Sequence, residues 1–314
     1  MDGVTMTNTA ITSSDELIRR AIDIAAEGRC KRVAVAAAQD VDVIDAVAQA
    51  QAEGFVSGIL VGDEAEIQKL AAEHGTAIDG LEIVDKPDIG EAAGYAVGLA
   101  AEKKADAIMK GFLPTSALLK TVLDSRYGLR GKNTLSHCAV MDIPGYDRLL
   151  NVTDGGMVVK PDLETKLQIL ENAILVGRAL GLSPVRVAVS GAVDQPREDM
   201  PHTISDAEQL VPMARQRFED IEIQSPVPFD AATAEPPGRQ GEVVGRADIF
   251  LVDSIEECNI VCKALIQFAR AVFAGVIVGA GVPVSLVSRT DTVKNKKTAL
   301  ALACVIADCY DRSR

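Results

Sequence analysis

Tryptophan is absent from this 314-residue chain, and aromatic residues make up only 4% of it. Stacking platforms for bases and aromatic slots for sugars therefore have little to be built from. Positive charge is also short: 32 Lys and Arg stand against 45 Asp and Glu, a formal charge of −13. Broad nucleic-acid binding, which replaces phosphate counterions with Lys and Arg, is excluded by that balance, as is adhesion to an anionic membrane. No run of about 18 apolar residues occurs, so no membrane span is expected. The polar stretch from Met1 to Glu16 lacks the basic and apolar regions of a signal peptide and reads as a frayed leader. Histidine is limited to His74, His137 and His202, none at ligand spacing from a Cys or carboxylate, so no metal is expected. Of Cys30, Cys138, Cys258, Cys262, Cys304 and Cys309, all except Cys258 and Cys309 sit among apolar neighbours typical of buried thiols. Cys258 and Cys262 are one helical turn apart and do not form a zinc knuckle, and the cytoplasm is the expected compartment.

Several nucleotide and nucleophile motifs are missing too. Gly279-Ala280-Gly281 lacks the third glycine of a dinucleotide fingerprint, and Pro283 stands where its helix would begin. There is neither a phosphate loop ending in Gly-Lys-Ser/Thr nor a Gly-x-Ser-x-Gly elbow.

What is present is a core-forming α/β pattern, with 48% hydrophobic and 25% charged residues. Short β-branched runs at 32–38, 57–61, 81–84 and 107–109 alternate with helical stripes, the signature of right-handed crossovers and a parallel sheet. The runs 135–142 and 149–153 lie close together across Ile143-Pro144-Gly145-Tyr146-Asp147 and read as a hairpin. A long helix over 163–180, further strands and helices, and a closing helix over 295–311 complete the order. Residues 226–242, with Pro236-Pro237-Gly238, read as a loop or short insert. The expected architecture is α/β, with two αβα lobes of three layers and mostly parallel sheets: 1–134 with 276–314, and 135–275 carrying the hairpin.

Charge is unevenly distributed. Lys110, Lys120, Arg126, Arg130 and Lys132 follow one predicted strand with Asp124 as the only acid among them; Arg289, Lys294, Lys296 and Lys297 follow another, interrupted by Asp291. Each stretch alone is compatible with a solvated face. Together, beyond the carboxyl ends of strands where α/β sheets bind ligands, they also suit a polyanionic small molecule. Ser288-Arg289-Thr290-Asp291 brings a hydroxyl, a guanidinium and a carboxylate together at a strand end. Such a set can grip phosphate, stabilise a developing anion and accept a proton, or it can be a helix cap with a local ion pair.

At these residues the chain resembles the phosphate acetyl/butyryltransferase family. Met109-Lys110-Gly111, Gly128-Leu129-Arg130, Leu135-Ser136-His137 and Ile143-Pro144-Gly145-Tyr146-Asp147-Arg148-Leu149-Leu150 carry the likeness. It continues in order through Thr153-Asp154-Gly155-Gly156, Pro161-Asp162-Leu163-Glu164, Met200-Pro201, Phe229-Asp230-Ala231-Ala232, Asn259, Lys263 and Ser288-Arg289-x-Asp291. The strings are closer to the butyryl branch than to the acetyl branch.

The resemblance implies a two-lobed fold like that of isocitrate and isopropylmalate dehydrogenases, with the site in the cleft. It implies reversible transfer of a short-chain acyl group (acetyl, propionyl or butyryl) between coenzyme A and inorganic phosphate, through a ternary complex. Coenzyme A is then a substrate, no metal or bound cofactor is required, and a homo-oligomer, dimer or higher, is expected. The implied catalytic set is Ser288, Arg289 and Asp291. The implied substrate-binding set is Lys110, Thr115, Lys120, Arg130, Ser136, Asp230 and Asn259. Arg289 would take the phosphate, Ser288 the sulfur or oxyanion, and Asp291 the thiol proton. The chain departs from the pattern at Lys120, where the acetyl branch has Arg, and at Thr292 and Lys294, where the butyryl branch has Ser and Glu. It departs again at Cys258, where a Gly is usual. Lys294 and Cys258 feed an alternative reading, a relative that keeps the fold without transferase activity, as a non-catalytic subunit or an acyl-CoA or anion-binding protein.

Overall fold

The computed structural model describes residues 9–235 and 241–312; Pro236-Pro237-Gly238, read above as loop, lie outside the described residues. Most helices begin where a short polar side chain satisfies a backbone N–H that has no partner within the helix. Ser13 caps α1 (Ser14–Ile24), Asp40 caps α2 (Val41–Ala52), Asp63 caps α3 (Glu64–His74) and Asp88 caps α4 (Ile89–Ala101). Asp162 caps α6 (Leu163–Ala179), which follows α5 (Thr115–Val122). Next come the short α7 (Pro201–Ser205), α8 (Val211–Arg217) and α9 (Phe229–Thr233), then α10 (Ile255–Ala269) capped by Ser254, and α11 (Val293–Arg312). Helix α5 is not anticipated by the sequence pattern, because its eight residues are too few to show a clear stripe.

Strands β1 (Lys31–Ala36), β2 (Val56–Gly62), β3 (Glu82–Asp85), β4 (Ala107–Lys110), β5 (Ser136–Asp142) and β6 (Leu149–Thr153) come first. Then follow β7 (Val185–Ser190), β8 (Ile221–Val227), β9 (Ile249–Leu251), β10 (Val272–Val278) and β11 (Val284–Ser285). All join one 11-stranded sheet in the order β3-β2-β1-β4-β11-β10-β5-β6-β9-β7-β8. The wing from β3 to β11 is parallel throughout, as is the wing from β6 to β8. Between them β10 runs antiparallel to both β11 and β5, and β5 is also antiparallel to β6. The expected hairpin is therefore the β5–β6 pair, and β10 with β5 forms the seam between the wings.

The apolar strand runs are buried on both faces, as helix-covered parallel sheets require. Helix α11 lies deep in the molecule, with Ala299 to Ala307 all buried, and it packs against α1, α2 and β10. Cys30, expected to be buried, is exposed just before β1, and Cys258, expected as an exception, is buried on the inner face of α10. Local apolar neighbours do not reveal which way a side chain at an element's end points. Among the described residues no helix is long and apolar enough to cross a membrane.

Candidate active site

A cavity of about 990 Å³ runs along one face of the seam between the two wings, covered by α10. Register explains its floor. Ile277 pairs with His137 and Gly275 with Ala139 across β10 and β5, so these four share one face, with Phe273 two residues further along β10. His137, Ala139, Phe273 and Ile277 line the cavity together with Leu286 and Val287 beyond β11. Gly275 is obligatory there: a Cβ would collide with the Leu286 carbonyl oxygen and meet His137 Nε2 at 2.8 Å.

The opposite wall is one face of α10. Ile255, Cys258 and Asn259, Cys262 and Lys263, and Ile266 and Gln267 recur at three- and four-residue spacing and all reach the cavity. Only Cys258 and Cys262 of this helix are buried, with their sulfurs 3.8 Å apart. The hydrogen bond to Cys262 and burial both hold the Cys258 thiol above its ordinary pKa, so it is a neutral apolar wall. Gly155 and Gly156, just after β6, admit this close approach; a Cβ on Gly155 would meet Cys258 Sγ at 2.8 Å and His137 Nδ1 at 3.1 Å. The turn is fixed by buried Asp154, which accepts N–H bonds from His137, Gly156, Met157 and Val158. Burial lowers the pKa of His137, so its ring is neutral and belongs to the floor.

The polar end is built from two strand ends. Lys110 ends β4, with Leu113, Pro114 and Thr115 beyond it; beyond β11 come Ser288, Arg289, Thr290 and Asp291. Gly111 lets the first loop lie against the end of β1: Gly111 N donates to Ala36 O at 2.9 Å and Phe112 N to Ala37 O at 2.6 Å, while a Cβ on Gly111 would strike the Ala37 carbonyl. The second loop is closed by Asp291, whose Oδ2 accepts the Ser288 N–H at 2.5 Å and whose Oδ1 accepts from Asn295 Nδ2 at 3.3 Å. Arg289 sits over Phe112, its guanidinium carbon 4.5 Å from the ring centroid. Burial, and next the nearby Arg289 charge, hold the Lys110 ammonium below the ordinary lysine pKa.

Six of the ten residues expected from the sequence thus share this cavity: Ser288, Arg289, Asp291, Lys110, Thr115 and Asn259. The other four do not line it. Lys120 and Arg130 are exposed, on the last turn of α5 and at a bridge to Ala280. Ser136 is buried and accepts a hydrogen bond from Asn172, and Asp230 is exposed on α9. The second basic stretch divides: Lys294 is exposed and off the wall, Lys297 pairs with Glu53 at 2.5 Å, and Lys296 turns inward. Sequence reading missed Phe112 and the whole apolar floor. Among the described residues no three or more His, Cys, Asp or Glu come together as a metal site.

Known proteins resemble this chain over most of its length. The family model described as Phosphate acetyl/butaryl transferase matches residues 17–90 and 88–304. A phosphate butyryltransferase of Clostridium acetobutylicum is 38% identical over 282 residues, covering 88% of this chain and 93% of that protein. A phosphate acetyltransferase of Thermotoga maritima is 36% identical over 286 residues, covering 90% and 97%. Among solved structures, a branched-chain phosphotransacylase from Enterococcus faecalis V583 superposes with a TM-score of 0.78 at 28% identity, covering 88% of this chain and 99% of that one.

Proposed function

The chain belongs to the phosphate acetyl/butyryltransferase family, and from that premise we propose that it moves a short-chain acyl group reversibly between coenzyme A and inorganic phosphate. The observation that carries this reading is the polarity of the cavity. Arg289, Lys110 and Ser288 stand at one end of a pocket whose floor is apolar and whose far wall mixes Ile255, Cys258, Cys262 and Ile266 with Asn259, Lys263 and Gln267. A phosphoryl group suits the first, and the acyl chain with the pantetheine arm suits the second.

In this reading Arg289 offers a planar fork to two phosphate oxygens, and Lys110 supplies a point charge beside it. The thiol of coenzyme A attacks the carbonyl carbon of the acyl phosphate. The new C–S bond forms, the C–O bond to phosphate breaks, and the Ser288 hydroxyl donates to the developing oxyanion. The S–H proton passes to Asp291 and then to the departing phosphate. Of the two Asp291 oxygens, Oδ1 has the longer and weaker contact, 3.3 Å against 2.5 Å, and is the one left to take it. Both substrates are held together, so the protein contributes chiefly orientation and charge. Asn259 and Lys263 on α10 are placed to meet the coenzyme A arm. The departures that suggested a non-catalytic relative lie away from the phosphate corner, Lys294 off the wall and Cys258 on the far one.

Homo-oligomer formation fits the outward face of α10, where Ile260 and Phe268 are 69% and 84% exposed. The decisive experiment is phosphate-dependent release of free thiol from acetyl-, propionyl- and butyryl-CoA. Turnover that is lost in Arg289→Ala supports the reading. A folded wild-type protein that turns over none of the three would end it.

A further inference from the structure

We propose that Phe112 and Lys296 are positioning residues that hold Arg289 ready for phosphate, Phe112 at its guanidinium and Lys296 at its backbone. The inference rests on the function proposed above, since it concerns how the phosphate-binding arginine is held before substrate arrives.

Arg289 is exposed, on a loop between β11 and α11, and its guanidinium makes no hydrogen bond or ion pair among the described residues. A long free side chain would sample many rotamers, and each phosphate would have to order it afresh. A carboxylate partner could hold it, but would also neutralise its charge and occupy its donors. An aromatic face does neither. With the guanidinium carbon over the Phe112 ring, 4.5 Å from its centroid, the cation is held against the aromatic face. Its N–H groups, without a partner among the described residues, stay free for oxygens. Phe112 is 40% exposed in a chain that has only 4% aromatic residues. Its own backbone is tied to the end of β1 through the Phe112 N–H to Ala37 O bond of 2.6 Å, so the platform itself is anchored.

The other end of Arg289 is held from below. Lys296 is 2% exposed, a rare place for an ammonium group unless it is fully partnered. Its Nζ donates to Asp291 O at 2.6 Å and to Arg289 O at 3.4 Å, and lies 3.5 Å from Asp42 Oδ2. One buried cation therefore ties two carbonyls of the Ser288–Asp291 loop to α11 and α2. The two holds come from different segments of the chain, one from the loop after β4 and one from α11, and they converge on a single residue.

The test measures KM for phosphate, KM for butyryl-CoA, kcat, and phosphate affinity by titration calorimetry. Phe112→Leu should raise the phosphate KM and Kd about three- to ten-fold, the range of an exposed to partly desolvated cation–π contact. Its kcat and butyryl-CoA KM should stay within about two-fold. Phe112→Tyr should restore the wild-type values. In an Arg289→Lys background, which removes the planar fork, Phe112→Leu should have little further effect on the phosphate constants. Lys296→Met should raise the phosphate KM at least as much as Phe112→Leu does, and Lys296→Arg should recover part of it.

Equal changes for both substrates would overturn the proposal, as would an unchanged phosphate Kd in Phe112→Leu. An effect of Phe112→Leu that persists at full size beside Arg289→Lys would overturn it as well. If Lys296→Met fails to fold, Phe112→Leu and its cycle with Arg289→Lys still decide the guanidinium half, and Lys296→Arg decides the backbone half. Absence of turnover in the wild type would remove the function and not this inference, because phosphate Kd can be read without turnover.

Discussion

Arg289 stands close enough to Lys110 to make its ammonium easier to lose, and this gives the phosphate site a pH limit. Burial first, and the Arg289 charge second, hold the Lys110 pKa below the ordinary lysine value. The charged form is the one that attracts phosphate. It is lost as pH rises through this lowered pKa, earlier than for a surface lysine. The expected result is a phosphate KM that climbs on the alkaline side, before a free ammonium would titrate, while the acyl-CoA KM is less affected. In Lys110→Gln that alkaline rise should vanish and the phosphate KM should be high, by about ten-fold, at every pH. Steady-state kinetics from pH 7 to 10 checks it. A wild-type profile that Lys110→Gln shares would remove Lys110 from the phosphate site. Single residues also show how much of this corner could be read early. Lys110 and the Ser288-Arg289 pair were legible because they follow apolar strand runs, and strand ends in an α/β sheet face the ligand. Phe112 was not, since an aromatic in a loop looks the same whether it covers a core or a cation. Lys296 looked like one more member of a basic stretch, and only the helix phase turns it inward.

At the scale of elements, the seam strands explain why the floor of the site was illegible. His137, Ala139, Phe273 and Ile277 belong to apolar runs that any reading assigns to core, and they are buried. Which face of such a strand meets a helix and which meets a cavity depends on antiparallel register with a partner more than a hundred residues away. The hairpin was legible because its two strands are neighbours in sequence. Helix α10 was legible as a helix, and Asn259 as one of its site residues, but its double exposure was not. One face meets the cavity; the other presents Ile260 and Phe268 to solvent. An amphipathic helix ordinarily buries its second apolar stripe, so this face fits a second copy of the chain. Phe268→Glu should then shift the protein towards monomer in multi-angle light scattering at micromolar concentration. Acyl-CoA KM should rise more than phosphate KM, because α10 is the wall on the coenzyme side. A wild type that elutes as a monomer at every concentration would remove the oligomer from the account.

The whole molecule carries a formal charge of −13, yet its proposed substrates are polyanions. Distance separates the two effects. The excess carboxylates are spread over the surface, whereas Lys110 and Arg289 meet the substrate inside the cavity. At about 10 mM ionic strength the Debye length is roughly 30 Å, and an approaching coenzyme A feels the whole negative surface; at about 150 mM it falls to roughly 8 Å. Moderate salt should therefore screen the remote repulsion before it screens the contact charges, and association should speed up. The expected outcome is a kcat/KM for butyryl-CoA that rises as inert monovalent salt increases from about 10 to 150 mM, and falls again towards 1 M as the cavity charges are screened in turn. Arg289→Lys keeps the charge and should keep this shape, whereas Lys110→Gln should flatten the later fall. A kcat/KM that declines from the lowest ionic strength onward would mean that the local cations already dominate the long-range field, and the acidic surface would then play no part in substrate capture.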